Sequence, residues 1–320
     1  MNEEAVVGAG RSLWGEAWHR LRRNRLAMVC LGIIALYFVV GGLDFVPARW
    51  IGAVPGLTVE HEGSVIDWLF DATVGPTDKE ESYLPPGEGG HLLGTDIHGT
   101  DILYKTLKGV NTAIILGGLT ALIYIPLGLL FGAVAGYFGG LIDDAVVYLY
   151  STLACIPGIL LLIALMTVMN RGVIQLCIAL GVTGWVGLCR LVRGEALKLR
   201  EADYVLASRA LGAGSPRILL KHIVPNVFHI VIITFSLGFS GIVMSEAVLT
   251  YLGVGVEPER ISWGRMISFA KMELSRDPSV WWQFVSAAGA LFLLVLAFNV
   301  FGDALRDALD PRLRTGAVEQ

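Results

Sequence analysis

The chain has 320 residues, 54% of them hydrophobic and 16% charged, with a mean hydropathy of +0.65. A soluble domain of this length needs more charge to cover its surface, so the composition excludes an ordinary soluble enzyme and points to a membrane protein. The formal net charge of −4 is small, and its distribution along the chain says more than its size.

A helix needs about 20 apolar residues to cross a bilayer. Ahead of the first such run, Trp14, Ala17, Trp18 and Leu21 fall at helical spacing with basic residues opposite. This predicts an amphipathic helix within residues 1–25, lying on the inner leaflet. The first span follows at about 26–46. Its apolar run is long for a signal core and has no small-x-small cleavage site after it, so it reads as an uncleaved helix. Residues 47–111 form a long loop with ten acidic residues, against Arg49, Lys79, Lys105 and Lys108. A core at 112–302 holds spans at about 112–137, 145–169, 173–191, 227–249 and 282–301, and residues 303–320 form a tail. The fold class is therefore an all-α polytopic membrane protein with six transmembrane helices.

Within the spans, Gly128, Gly132, Gly136 and Gly140 repeat every four residues and predict a smooth helix face for close packing, within this chain or on a partner. Pro126 and Pro157 predict kinks in the second and third spans. Glu246 is an isolated acid near the outer end of the fifth span, a functional candidate by default with contact to the headgroups as the alternative, and His229 lies near the inner end. Cys30, Cys155, Cys177 and Cys189 sit in or beside apolar segments with no C-x-x-C pair, and read as buried small hydrophobes.

Basic residues set the orientation. Arg11, Arg20, Arg22, Arg23 and Arg25 precede the first span, the fourth-to-fifth loop is basic throughout, and Arg306, Arg312 and Arg314 follow the last span. These regions share one side and are expected to be cytoplasmic, with the acidic 47–111 loop outside.

The cytoplasmic loop at 194–226 has structure written into it. Glu201 to Leu211 predicts a helix stopped by Gly212. Ser215 then predicts an N-cap with Pro216 at the first helical position, and a second short helix from Arg217 ends at Pro225. The small residues Ala207, Ser208, Ala210 and Gly212 let such a helix sink into a partner's groove. Motifs for ATP chemistry, metalloprotease chemistry, nucleophilic catalysis and EF-hand calcium binding are absent from the sequence. No cofactor or metal site is expected, and uphill transport would draw its energy from a partner or an ion gradient.

The run Leu206-Ala207-Ser208-Arg209-Ala210-Leu211-Gly212, followed by His222-Ile223-Val224-Pro225-Asn226, resembles the EAA loop of binding-protein-dependent ABC importer permeases. The spacing from Gly212 to Pro225 fits that pattern. Leu206 stands where the family has Glu, and Asp203 offers a carboxylate one helical turn earlier. His91 to Asp101 resembles the segment leading into the second span of the dipeptide, oligopeptide and nickel group. Leu252 to Gly255 with Ser262-Trp263-Gly264 resembles its outer loop, and Phe298 to Pro311 its C-terminus.

The resemblance implies a type I ABC importer permease fold with a cytoplasmic coupling helix. It also implies that this chain is the second permease of a pair, in a bacterial or archaeal inner membrane. Expected partners are a homologous permease, two ATPase subunits, a periplasmic or lipid-anchored binding protein, and lipid, with no nucleic acid. The coupling residues would be Asp203, Leu206, Ala207, Ser208, Ala210, Gly212 and Pro225. Binding-protein docking would use the segments with Gly94, Thr95, Asp96, Asp101, Trp263 and Gly264. Peptides are the default cargo, with nickel chelates, opines and oligosaccharides as alternatives. A secondary transporter is disfavoured because mid-membrane ionisable residues are scarce.

Overall fold

The computed structural model describes residues 13–48, 63–73 and 82–309, and these are helical apart from loops and two isolated β-bridges. Arg11, Arg312, Arg314 and much of the 47–90 stretch fall outside them. The helices are α1 (Leu13–Arg23), α2 (Arg25–Leu43), α3 (Val65–Thr73), α4 (Ile102–Phe138), α5 (Gly140–Ala154), α6 (Gly158–Met169), α7 (Val173–Leu199), α8 (Asp203–Ala210), α9 (Ser215–Ile218), α10 (Val224–Tyr251), α11 (Trp263–Glu273) and α12 (Trp282–Leu309). A π-helical turn, Leu219–Ile223, joins α9 to α10 without a break.

Among the described residues, five helical stretches are long and apolar enough to cross a membrane: α2, α4, α7, the α9–α10 rod and α12. The third expected span, 145–169, is not one helix. It is the pair α5 and α6, bent by 85° at the break before Gly158. Pro157 is the N-cap of α6 and cannot donate a backbone hydrogen bond into the preceding turn, which fixes the bend there. Pro126, in contrast, lies inside a helix that continues past it.

Several other boundaries move outward. α4 begins ten residues before the expected 112, because Asp101 caps it, its carboxylate accepting from the Tyr104 amide at 3.0 Å. α7 runs on to Leu199, well past Arg190. α1 forms but does not lie free: Ala17 and Leu21 are buried and the helix packs on α12, while Trp18 is exposed beneath the Arg22 guanidinium.

The core falls into three clusters. One, at the α8 end, gathers Trp185, Leu188, Val192, Val205, Ile218 and Ile223 among others. A second, at the opposite end and down α12, includes Phe239, Trp263, Trp282 and Phe298, with the Phe239 and Phe298 rings stacked 4.2 Å apart. The third joins α6, α7 and α4 through Met166, Leu176 and Leu116. Cys30, Cys177 and Cys189 are buried as expected, but Cys155 is exposed, because it sits at the break after α5. Glu246 does not take the headgroup alternative. It is 3% exposed and accepts a hydrogen bond from Thr250 Oγ1 at 2.8 Å, so it turns into the bundle rather than toward headgroups.

The glycine stripe seats α4 on α7. A Cβ on Gly132 would lie 2.7 Å from the Cys189 carbonyl oxygen, and one on Gly136 would lie 2.6 Å from Ala196 Cβ. Gly128 faces Leu188 in the same way. The backbones meet because no side chain stands between them. Gly140 lies beyond this contact, in open space at the start of α5.

Candidate functional site

The candidate site is the α8 turn and the structure that mounts it. α7 ends at Leu199, and α8 follows after a three-residue turn. One residue of α8, Val205, is fully buried, in the same cluster as Val192, Ala196, Ile218 and Ile223. Gly212 then stops the helix with φ +84°, a conformation that suits glycine. The Gly212 amide donates to Arg209 O, and the Ala213 amide to Ser208 O, which completes a Schellman motif.

The return limb differs from expectation in two ways. Gly214, not Ser215, is the N-cap of α9, and Pro216 sits in its first turn. Pro225 does not end a helix. It lies at the start of α10, where the wider π turn absorbs the hydrogen bond that proline cannot make. The loop therefore runs straight into the long α10 helix.

Side chains tie α8 to this rod. The Tyr204 and His222 rings lie 6.0 Å apart, and Asn226 Nδ2 donates to His222 O at 2.6 Å. Ser208 Oγ is 3.4 Å from His222 Nε2. Arg209 places its guanidinium over the Tyr137 ring, 5.4 Å from its centroid, linking α8 to the end of α4. Nearby, Arg193 on α7 grips Asp143 on α5 with two hydrogen bonds, the one from Nη2 to Oδ2 at 2.6 Å.

What remains is an open face. Asp203, Leu206, Ala207, Ala210 and Leu211 are exposed, and their spacing puts them on one side of α8. Leu206 is 45% exposed and Leu211 89% exposed. The face is apolar and small, with one carboxylate at its start. Of the seven residues that the sequence suggested for coupling, Asp203, Leu206, Ala207 and Ala210 are on this face, while Ser208 leans toward His222 and Gly212 and Pro225 shape the backbone.

The opposite end of the bundle is a collar built from the residues before α4, the loop after α10, α11 and the start of α12. Asp96 accepts from the His98 and Thr100 amides, both at 2.9 Å, and pairs with Lys105. Asp101 also meets His91 Nδ1 at 2.8 Å. Trp282 Nε1 donates to Thr95 O at 3.0 Å, and Trp263 Nε1 to Thr106 O at 2.9 Å. Gly94 lies against the Leu84 carbonyl and the Trp282 ring, and Gly264 against the Ala247 backbone. All six docking residues read from the sequence are thus buried and spent on holding the collar together. Their exposed neighbours are Leu92, Ile97 and His98.

The sequence reading missed several members of this collar. Arg260 donates to Asn111 Oδ1 at 2.7 Å, and Lys108 reaches Asp44 at 2.6 Å and Asp67 at 2.7 Å. Burial alone would raise the Asp67 carboxyl. Hydrogen bonds from Lys108, the Ser64 amide and hydroxyl, and Tyr104 overcome it and hold the group down at about 2. Glu273, on α11, goes the other way. Burial pushes its carboxyl up and Asp96 adds to the push, against Lys105, Arg276 and His98. No cluster able to hold a metal ion occurs among the described residues.

The sequence pattern of the family described as "Binding-protein-dependent transport system inner membrane component" matches residues 128–315. That of the "N-terminal TM domain of oligopeptide transport permease C" matches residues 12–48. Among individual proteins, the oligopeptide transport system permease protein OppC of Bacillus subtilis is 36% identical over 97% of this chain and 93% of its own length. The dipeptide transport system permease protein DppC of the same organism is 35% identical over 97% of this chain and 89% of its own. The glutathione transport system permease protein GsiD of Pectobacterium atrosepticum is 34% identical over 95% and 93%.

Proposed function

The chain belongs to the family of binding-protein-dependent transport system inner membrane components, and from that premise we propose that it is one of two permeases in an ATP-driven peptide importer. The observation that carries the reading is the open face of α8, mounted on a helical rod that runs unbroken from Ser215 to Tyr251. A docking surface joined rigidly to a span suits a subunit that receives a push and passes it on. The chain does no ATP chemistry itself. One of two ATPase subunits holds α8 in a groove, and closure of the pair moves the spans between two states.

The α8 end is cytoplasmic in this reading, as are both termini, in keeping with the basic residues gathered there. The collar faces outward and receives the binding protein, through exposed Ile97 and His98 rather than through the buried Asp96 and Trp263. The relatives named for oligopeptides, dipeptides and glutathione support a peptide cargo.

Gly212→Pro tests the coupling. Proline cannot adopt φ +84°, and it removes the amide that caps the α8 turn. The variant should lose co-purification with the ATPases, or keep it and lose substrate-dependent ATP hydrolysis. Wild-type values for both would refute the reading.

A further inference from the structure

Two cavities lie end to end along α10. The first, about 530 Å³, runs between α4, α6, α7 and α10 and has Ser245, Gly241, Gly238 and Thr234 on its α10 side. The second, about 580 Å³, shares Thr234 and Gly238 and continues to His229 and Arg306 at the α8 end. The shared residues make one groove. From Ser245 to His229 it follows α10 for about 24 Å at 1.5 Å per residue, most of the roughly 30 Å thickness of a bilayer core.

The floor of the groove is bare backbone at two points. Nothing lies within 4 Å of where a Cβ on Gly241 would be, and the nearest atom to one on Gly238 is the Tyr124 hydroxyl, at 3.5 Å. That hydroxyl is the second observation. Tyr124 is 5% exposed and lines the first cavity, and its hydroxyl has no hydrogen-bond partner among the described residues. A buried hydroxyl left unpaired is costly, so a partner for it is to be sought in the groove it faces.

The first cavity carries hydroxyls and no charge: Thr120, Thr183, Thr234 and Ser245 line it with Tyr124. The inner mouth adds a charged side chain, Arg306, and the imidazole of His229. We propose that this groove is the chain's half of the substrate path, and that Tyr124 and its neighbouring hydroxyls hydrogen-bond the main chain of a peptide in transit. The proposal rests on the importer reading and deepens it. Main-chain groups are common to every peptide, whereas the glycine floor leaves room for side chains of any size. Neutral hydroxyls hold such a cargo without trapping it, which conduction requires. The path therefore accepts peptides by their backbone, and selection among them falls to the binding protein.

The test uses the complete complex, reconstituted in vesicles with the second permease, the ATPases and the binding protein. Gly241→Trp fills the groove. Gly32→Trp, also at an open position but on α2, is the control. The expected result is that Gly241→Trp assembles and hydrolyses ATP but takes up labelled peptide no faster than vesicles without ATP, while Gly32→Trp transports normally. Undiminished uptake by an assembled Gly241→Trp complex overturns the groove assignment and leaves the importer reading standing. No uptake by the wild-type complex overturns both. If Gly241→Trp fails to assemble, the decision passes to the wild-type complex turning over a peptide that carries a photoreactive benzoylphenylalanine. Adducts on Tyr124 or on Thr234–Ser245 support the path, and adducts confined to other surfaces overturn it.

Discussion

Replacing Gly136 by Ala adds one methyl group where α4 crosses α7, and that methyl has no room. Its carbon would lie 2.6 Å from Ala196 Cβ, 2.7 Å from Arg193 O and 3.1 Å from Leu197 N. Carbon contacts settle at about 3.5–4.0 Å, so α7 has to retreat by roughly 1 Å. None of the three obstacles is the flexible end of a side chain, and none can rotate aside. Overpacking of this kind costs about 1–3 kcal/mol. Alanine in place of glycine in a helix returns about 0.5–1 kcal/mol, which leaves a net loss on the order of 1–2 kcal/mol. Gly118→Ala is the matched control. It makes the same change on the same helix, and nothing lies within 4 Å of its Cβ.

In thermal unfolding of the purified protein, Gly136→Ala should lower Tm, while Gly118→Ala should leave it unchanged or raise it. Gly132→Ala should resemble Gly136→Ala, since its Cβ would meet Cys189 O at 2.7 Å and Val192 Cβ at 2.8 Å. The double variant should cost less than the two singles added, because one retreat of α7 relieves both clashes. Equal Tm values for Gly136→Ala and Gly118→Ala would refute the claim that the stripe seats α7.

Two further predictions concern pH at the collar. Asp67 is held at about 2 against an ordinary value of 3.8, so its charge stabilises the fold at neutral pH and that stability is lost as pH falls through this window. Asp67→Asn should lower Tm at neutral pH, with the gap to wild type closing between about pH 4 and 2; a gap independent of pH would refute an electrostatic origin. The raised carboxyl of Glu273 has the opposite sign: the protonated form suits the fold, and stability is lost as pH rises above the ordinary carboxyl range. Glu273→Gln should therefore raise Tm at mildly alkaline pH and gain less under acid conditions, and a variant less stable than wild type throughout would count against this account.

Periodicity and length made most spans readable, because a lipid-facing helix must be apolar over a fixed distance. The ends were harder. Ile102 to Asn111 carries Lys105, Thr106 and Lys108, which break the apolar run, yet these residues are helical because Asp101 caps them and Asp96, Asp44 and Asp67 pair the lysines. Neither the cap at Asp101 nor the ion pairs were read from the sequence, and Asp44 is more than sixty residues from Lys108. In the α8 loop, Gly212 was legible because a positive φ selects glycine. Pro225 misled because proline usually stops a helix, and only the π turn before it shows how the helix survives. The collar motifs were recognised but the burial of their residues was not: a pattern such as Gly-Thr-Asp does not say whether its aspartate faces out or in. Tyr124 carried no signal at all, since a tyrosine in a span is ordinary until its hydroxyl is seen to lack a partner.

The same two helices carry the coupling contacts and the groove. Arg209 on α8 rests on Tyr137 at the end of α4, and Tyr204 and Ser208 rest on His222 and Asn226 at the root of α10. Tyr124 lies on α4, thirteen residues from Tyr137, and Gly238 lies on α10, twelve residues from Asn226. In the proposed importer a displacement of α8 is thus delivered to the two walls that face each other across the groove. The α4 wall is pinned to α7 by backbone contact at Gly132 and Gly136, and so resists sliding alone. The α10 wall is held at its root by a π turn, a wider hydrogen-bond register that often marks a functional position in a helix. On that reading, a push on α8 would move α10 against the α4–α7 pair and change the width between Tyr124 and Gly238.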